Sequence, residues 1–340
     1  MQTVRVGVLG CGGIARVAHL PSLARTPGAQ VVAIADPDAA CLGVARTLAP
    51  DARAVAEYGD VLAMPDVDAV IVALPPALHA EATIAALEHG KHVYVEKPLA
   101  TSEPDGARVV AAWRATSLTA MMGFNYRFNP IVREARARIA AGEIGALVGA
   151  RSVFTTPPRA LAPWKQRRDT GGGVLLDLAV HHIDLIRYLL GADVTSVFAE
   201  LRSDRTEHDS AFVQLGLTTG QAQCMFSLNA VDDDRIEIFG SNARLTIDRY
   251  RSLRVEVASG AGGAIGGAVA RAVGEARALP YALAKLRSPL NDPSFPAAIG
   301  AFVQAVRERT AASPDLHDGY RALAVVDAAE RSAQSGRVAQ

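Results

Sequence analysis

The sequence predicts two domains of different class, an α/β domain with a parallel sheet followed by an α+β domain with a mostly antiparallel one. Three observations carry this prediction. From residue 1 to about 123, short apolar runs alternate with helical patterns, the arrangement of a parallel sheet covered on both faces. Beyond them, one long helical pattern precedes alternating runs divided by turn signals such as "TTGQ" and "GSNA", as in an antiparallel sheet. The length of 340 residues suits about two ordinary cores.

In chain order, the first strands are read at 3–10 ("TVRVGVLG"), 30–36 ("QVVAIAD"), 68–75 ("DAVIVALP"), 91–96 ("KHVYVE") and 118–124 ("LTAMMGF"). Between them the apolar period is helical at 14–25, 39–48, 80–89 and 103–115. A helix at 129–141 leads into the second domain, whose long helix is read at 174–190. Strands follow at 194–202, 210–218, 221–229, 234–240, 243–248 and 252–257, alternating in polarity because successive side chains point to opposite faces. Residues 258–274, "ASGAGGAIGGAVARAVG", are Gly/Ala-rich and read as a connector before a packing helix, with a lid or a subunit contact as the alternative. The thirteen uncharged residues before Arg271 are too few to span a bilayer. Helices at 297–308 and 320–335 close the chain, and no internal repeat is found.

Composition excludes several function classes. Half the residues are hydrophobic, yet no apolar run approaches the ~20 residues of a membrane span. The start, "MQTVRVGVLG", reads as an immediate strand and not as a leader with a basic region and an apolar core, so a cytoplasmic location is expected. Formal net charge is zero with mixed signs and no basic block, which argues against nucleic acid and anionic membrane as partners. Cys11, Cys41 and Cys224 form no CxxC pair, so neither a disulfide framework nor a structural zinc site is expected.

The first strand ends in "GVLGCGGIA", where Gly10, Gly12 and Ala15 fit GxGxx(G/A). Glycines there permit a tight turn and let backbone approach a pyrophosphate at a helix start; alone, the pattern is also just a good turn. Asp36 closes the second strand about where a carboxylate accepts from an adenosine ribose. Pro37 and Asp38 follow, with no arginine to balance a 2′-phosphate, so NAD is favoured over NADP. The competing reading makes Asp36 a helix cap. Further on, "HVYVEKPLA" runs from strand residues straight into Glu96, Lys97 and Pro98. Of 35 Lys plus Arg, only Lys91, Lys97, Lys165 and Lys285 are lysines. A lysine kept at a strand's carboxyl end against that bias suits a task arginine cannot perform, proton exchange.

In "TGGGVLLDLAVHHIDL", Asp177, His181 and Asp184 are spaced i, i+4, i+7 and share one helical stripe. A carboxylate one turn from an imidazole can orient the ring as a general base requires. The neighbours are nearly all apolar, so this is a buried pair and not a solvated one. His182 points off the stripe and reads as a packing residue, and Asp184 as an anchor of the helix. A metal site is the rival, but no further His/Cys cluster supplies ligands.

Together, "GVLGCGGIA", "ALPPALHAEATIAALEHGKHVYVEKPLA", "GFNYRF" and "GGGVLLDLAVHHIDLIRYLLG" resemble the glucose-fructose oxidoreductase and inositol dehydrogenase (Gfo/Idh/MocA) family over nearly the whole chain. The resemblance implies an α/β Rossmann domain at 1–124 that binds NAD(P), then an α+β domain at 125–340 with a large, mostly antiparallel open-faced sheet for substrate binding and oligomerisation. It implies hydride transfer between NAD(H) and a secondary hydroxyl or ketone of a sugar, cyclic polyol or derivative, with Lys97, Asp177 and His181 catalytic. Lys97 hydrogen-bonds the reacting oxygen, His181 takes its proton, and Asp177 holds the imidazole tautomer. Cofactor contacts fall to Gly10, Gly12, Gly13, Ile14 and Asp36, then to Leu74, Pro75, His79, Glu96 and Lys97. Tyr126, Arg127, Trp164 and Lys165 join the catalytic residues at the substrate, with surface or packing roles as alternatives. No metal is implied, and a homodimer or homotetramer through the open sheet face is. Leu74 and Pro76 stand where many relatives carry Thr and Asn, which weakens hydrogen bonding from that loop to the cofactor. Three alternatives stay open: a biosynthetic ketosugar reductase, a glycosidase or lyase that retains its NAD, and a non-catalytic dinucleotide sensor. Retention of Lys97, Asp177 and His181 together counts against the last.

Overall fold

A computed structural model describes residues 3–259 and 279–340. Nearly all of the Gly/Ala-rich segment, and with it the connector and lid readings, lies outside the described residues. The chain forms two compact units. The first comprises residues up to Asn125, Asp169–Gly171 and Ser288–Leu323, and the second Tyr126–Arg168, the described residues from Gly172 to Arg287, and Ala324–Gln340.

The first unit is built on six strands, β1 (Val4–Leu9), β2 (Ala29–Ala35), β3 (Arg53–Val55), β4 (Ala69–Val72), β5 (His92–Val95) and β6 (Ala120–Met122). Every pairing is parallel and the order is β3-β2-β1-β4-β5-β6. Val70, Ile71 and Val72, like Val93, Tyr94 and Val95, are fully buried, because a strand covered on both faces needs apolar side chains at every position. The chain leaves β1 for β2 on one side and returns for β4 on the other, so the loops after β1 and β4 diverge at the sheet's carboxyl end, where such sheets bind ligands.

Helices Ala39–Leu48, His79–Glu88 and Glu103–Arg114 agree with the sequence reading to within a residue or so, and the helix read from 297 begins three residues earlier, as Ser294–Glu308. The helix expected at 14–25 is instead a π-turn, Ala15–His19, followed by a short α-segment, Leu20–Leu23; Pro21 withholds one α-type donor from this stretch. Strand β3 and the short helix Tyr58–Leu62 were not foreseen, each being too brief to show a period.

The second unit carries seven strands: β7 (Leu147–Thr155), β8 (Val194–Arg202), β9 (Ser210–Leu217), β10 (Gly220–Ser227), β11 (Asp233–Gly240), β12 (Ala243–Asp248) and β13 (Glu256–Ser259). Their order is β13-β12-β11-β7-β10-β9-β8, antiparallel except for the parallel β7–β10 pair. Strand β7, in the middle of the sheet, escaped the sequence reading. Its core-facing residues are Ala150, Ser152 and Phe154, a set too small and polar to stand out from Val153 on the other face. Helices Pro130–Ala140 and Val180–Leu190 lie over the sheet. Ile131, Val132, Ala135, Leu185 and Leu189 pack there against Ile236, Ile238, Leu245 and Ile247. The other face is open, with Phe198 and Phe212 exposed among Glu200, Gln214 and Gln223.

Candidate active site

In the first unit the turn after β1 is shaped by close backbone approach. Gly10 has φ 91°, and a Cβ on it would meet the Ala73 carbonyl at 2.5 Å, so only glycine lets β1 and β4 end side by side. Gly12 and Gly13 have open space where side chains would stand, the room a pyrophosphate needs over bare backbone. Asp36 at the end of β2 braces this turn: Cys11 N donates to its Oδ2 at 2.7 Å and Asp38 N to its Oδ1 at 2.8 Å. The helix cap is Asp38, which accepts from Ala40 and Cys41 N, so the cap reading of Asp36 is corrected. These residues fit an adenine dinucleotide. The sequence found no arginine beside Asp36; in space Arg16 is close enough to act on the Asp38 carboxyl, which the Ala40 and Cys41 amides hold below its ordinary range.

Lys97 follows β5 and is half-buried, and the Lys97–Pro98 peptide is cis. Glu96 is 8% exposed; its Oε1 lies 2.9 Å from Nε2 of the buried His19, and its Oε2 accepts from Lys97 N at 3.3 Å. His79 ties two loops together, with Nδ1 2.6 Å from the Pro98 carbonyl oxygen and Nε2 2.8 Å from that of Leu74. Both neighbours are acceptors, while a neutral imidazole has one N–H. Burial pushes the His79 pKa down and the two carbonyls pull it back only in part.

In the second unit the helix of Asp177 and His181 starts as a π-turn, Leu175–Ala179, and continues as α, Val180–Leu190; such π-bulges are frequent at functional sites. The partner of Asp177 is Lys165, whose Nζ donates to both carboxylate oxygens at 2.9 and 3.0 Å and lies 5.3 Å from the Trp164 ring centroid. Gly172 permits this approach, since a Cβ there would meet the Lys165 carbonyl oxygen at 2.3 Å. Arg127, expected at the substrate, is instead in a buried pair with Asp184, donating from Nε at 2.8 Å and Nη2 at 2.5 Å. Asp184 is thus the helix anchor the sequence suggested.

His181 is 7% exposed and stacks on Tyr126, centroids 4.2 Å apart and planes 21° from parallel. His182 is fully buried, with Nδ1 2.6 Å from Ser152 Oγ, Nε2 3.2 Å from Asp234 Oδ1, and its ring stacked on Phe154. Asp234 in turn holds Arg249, whose guanidinium lies over Tyr126. His19, His182, Asp234 and Arg249 were not singled out as site residues. Their partners are far off in the chain, and the run "VDDDR" around Asp234 looks like a solvated acidic turn. Among the described residues, no cluster of His, Cys, Asp and Glu could hold a metal ion, and no helix is long and apolar enough to cross a membrane.

Comparison with known proteins places these features. A profile of the oxidoreductase family with an NAD-binding Rossmann fold matches residues 4–124, and one for the GFO/IDH/MocA C-terminal domain matches residues 132–246. The chain belongs to the Gfo/Idh/MocA family. It is 37% identical over 251 residues to the dTDP-3,4-didehydro-2,6-dideoxy-alpha-D-glucose 3-reductase of Actinomadura kijaniata, covering 72% of this chain and 75% of that one. To the inositol 2-dehydrogenase of Rhizobium meliloti (strain 1021) it is 29% identical over 357 residues, 99% and 98% of the two chains. The solved structure of a 3-ketoreductase from Actinomadura kijaniata with NADP and TDP-benzene superimposes with a TM-score of 0.82, at 29% identity, over 97% of this chain and 98% of that one. The protein is therefore a Gfo/Idh/MocA oxidoreductase with a Rossmann unit for a nicotinamide dinucleotide.

Proposed function

We propose that the protein moves a hydride between NAD(H) and a secondary hydroxyl or ketone of a sugar, a cyclic polyol or a derivative of either. The observation that carries this reading is the Glu96-Lys97-Pro98 loop, which sets a half-buried lysine at the carboxyl end of β5 and is held through Glu96 and His79. The nicotinamide, when bound, accepts or supplies the hydride. Lys97 Nζ donates a hydrogen bond to the reacting oxygen. His181 takes the hydroxyl proton in oxidation and returns it in reduction. Asp177, one turn earlier and neutralising Lys165, orients the imidazole. Trp164, Lys165 and Tyr126 are the substrate contacts, while the buried pair with Asp184 favours a structural role for Arg127.

NAD is favoured over NADP because Asp36 and Asp38 put two carboxylates where a 2′-phosphate adds more negative charge. NADP is the alternative, supported by Arg16 near Asp38 and by the NADP of the Actinomadura neighbour. The 37% identity to a dTDP-ketosugar reductase supports a second reading, reduction of a nucleotide-linked ketosugar by the same residues. A homodimer or homotetramer through the open sheet face covers Phe198 and Phe212.

The test follows reduced-nicotinamide absorbance as the protein is offered NAD or NADP with sugars, inositols and uronic acids, and NADH with ketosugars. We expect a change with one substrate class. Lys97→Met lowers turnover by orders of magnitude and keeps NADH affinity within a few-fold. Turnover surviving in Lys97→Met sinks the role given to this lysine. Cofactor that copurifies and shows no net change points instead to a retained-cofactor lyase or hydrolase.

A further inference from the structure

Tyr126 has two neighbours across its ring. The Arg249 Cζ lies 3.2 Å from the ring centroid, and the His181 ring stacks with centroids 4.2 Å apart. Two groups that close to one centroid cannot share a face, since packed unbonded atoms need about 3.5 Å between them. Arg249 and His181 therefore sandwich Tyr126. Arg249 is held in place from behind: Asp234 accepts from its Nε at 3.2 Å and from Nη2, and the Arg249 amide donates to the Asp234 carbonyl at 3.1 Å. Arg249 is 6% exposed and Asp234 2%. Burial alone would raise the Asp234 carboxyl, but Arg249 and His182 hold it down to about 2, so the anchor stays charged at any working pH.

We propose that Arg249, pinned by Asp234, is a positioning residue for His181 that acts through Tyr126, pressing the ring against the imidazole and disfavouring a second positive charge there. The inference deepens the reading of His181 as the proton-transfer residue and rests on it. A cation on the far side of a π-ring that already satisfies it makes imidazolium formation less favourable, so His181 stays neutral and ready to accept a proton. Among the described residues of the second unit, the acidic groups on this helix and behind Arg249 are paired: Asp177 with Lys165, Asp184 with Arg127 and Asp234 with Arg249. Of these pairs, the Asp234–Arg249 pair is the one whose cationic end lies over the stacked ring. Arg159, which acts on Tyr250, adds charge of the same sign.

The experiment is a pH titration of the full chain, labelled with ¹⁵N-histidine and followed by ring ¹H–¹⁵N spectra, with the His181 signals assigned from His181→Asn. In Arg249→Gln the His181 midpoint rises by roughly half a unit to one unit, and its ring protons lose part of the shift caused by the Tyr126 ring. Arg249→Lys, which restores a cation, stays within a few tenths of wild type. Tyr126→Leu lets water screen the cation and moves the midpoint the same way, so the idea remains open to refutation if Arg249→Gln fails to fold. An unmoved His181 midpoint in a folded Arg249→Gln or Tyr126→Leu protein overturns the proposal, as does an equal rise in Arg249→Lys. The reading beneath it fails differently: His181→Asn would then keep its turnover in the absorbance assay while the midpoint shift in Arg249→Gln persisted.

Discussion

The loop carrying Lys97 and the helix carrying His181 are both buried and both tied down, but by different kinds of tie. Around Lys97, His79 bridges two backbone carbonyls, and Glu96 holds its own loop amide and lies against His19, so most ties end on backbone. Around His181 the ties are ion pairs between side chains: Arg127 with Asp184, Lys165 with Asp177, Arg249 with Asp234. A loop between two parallel strands is nearly placed once the strands pair, and hydrogen bonds, most of them to backbone, finish it. A helix lying across a sheet can slide or rotate, and charge pairs with directional donors fix it. Such pairs bring a vulnerability, because losing one member leaves the other buried and uncompensated.

The largest expected effect exploits that vulnerability. Arg127→Met leaves Asp184, 1% exposed, without its guanidinium, and a loss of about 3–5 kcal/mol is expected in urea unfolding. Combining it with Asp184→Leu restores most of the loss; a double variant no better than the single one would mean that the pair does more than compensate itself. Next comes acid. The Asp234 carboxyl titrates near 2 in the folded protein, below the ordinary aspartate value of about 3.9. Its contribution is therefore complete above about pH 4 and is lost as the pH falls through 2, about 2 kcal/mol in all. Melting curves between pH 5 and pH 2 should show a shallower decline in Asp234→Asn than in wild type, and parallel declines would deny the linkage.

The neutral tie should give less. His79→Ala removes the bridge between the Leu74 and Pro98 carbonyls and leaves no charge behind, so about 1–3 kcal/mol is expected. Native-state hydrogen exchange should show the loss as faster opening of the two loops. A cost equal to that of Arg127→Met would erase the distinction between the two regions.

The same distinction governs what was legible in the sequence. The parallel strands could be read because burial on both faces writes continuous apolar runs, and Lys97 because it interrupts one of them in a chain that hardly uses lysine. The family motifs carried the rest of the first unit. In the second unit, β7 was hidden because its core face is Ala150, Ser152 and Phe154. Asp177 and His181 were read as a pair on one helical stripe from their i, i+4 spacing, but Asp177 stands in a π-turn and the lysine it grips arrives from a loop twelve residues upstream. Asp234 lies on β11 and Arg249 just past the end of β12, and the register of these two strands is set by pairing, which no local pattern encodes.

Asp36 should give the smallest effect, and it tests the first region on its own terms. Its carboxylate has two tasks, bracing the glycine turn through Cys11 N and Asp38 N and, under the proposed function, facing the adenosine ribose. Bracing is local and neutral at the donor end, so losing it costs the turn little. Ribose recognition is a partly solvated contact, worth about a factor of ten in cofactor choice. Asp36→Ala should therefore leave the melting temperature nearly unchanged and lower the ratio of NAD to NADP affinity by about tenfold, measured by nicotinamide binding for both cofactors. Asp36→Asn, which keeps one acceptor oxygen, should fall between. If the ratio stays fixed while the melting temperature drops, the carboxylate serves the turn alone, and the choice between cofactors belongs to Arg16 and Asp38.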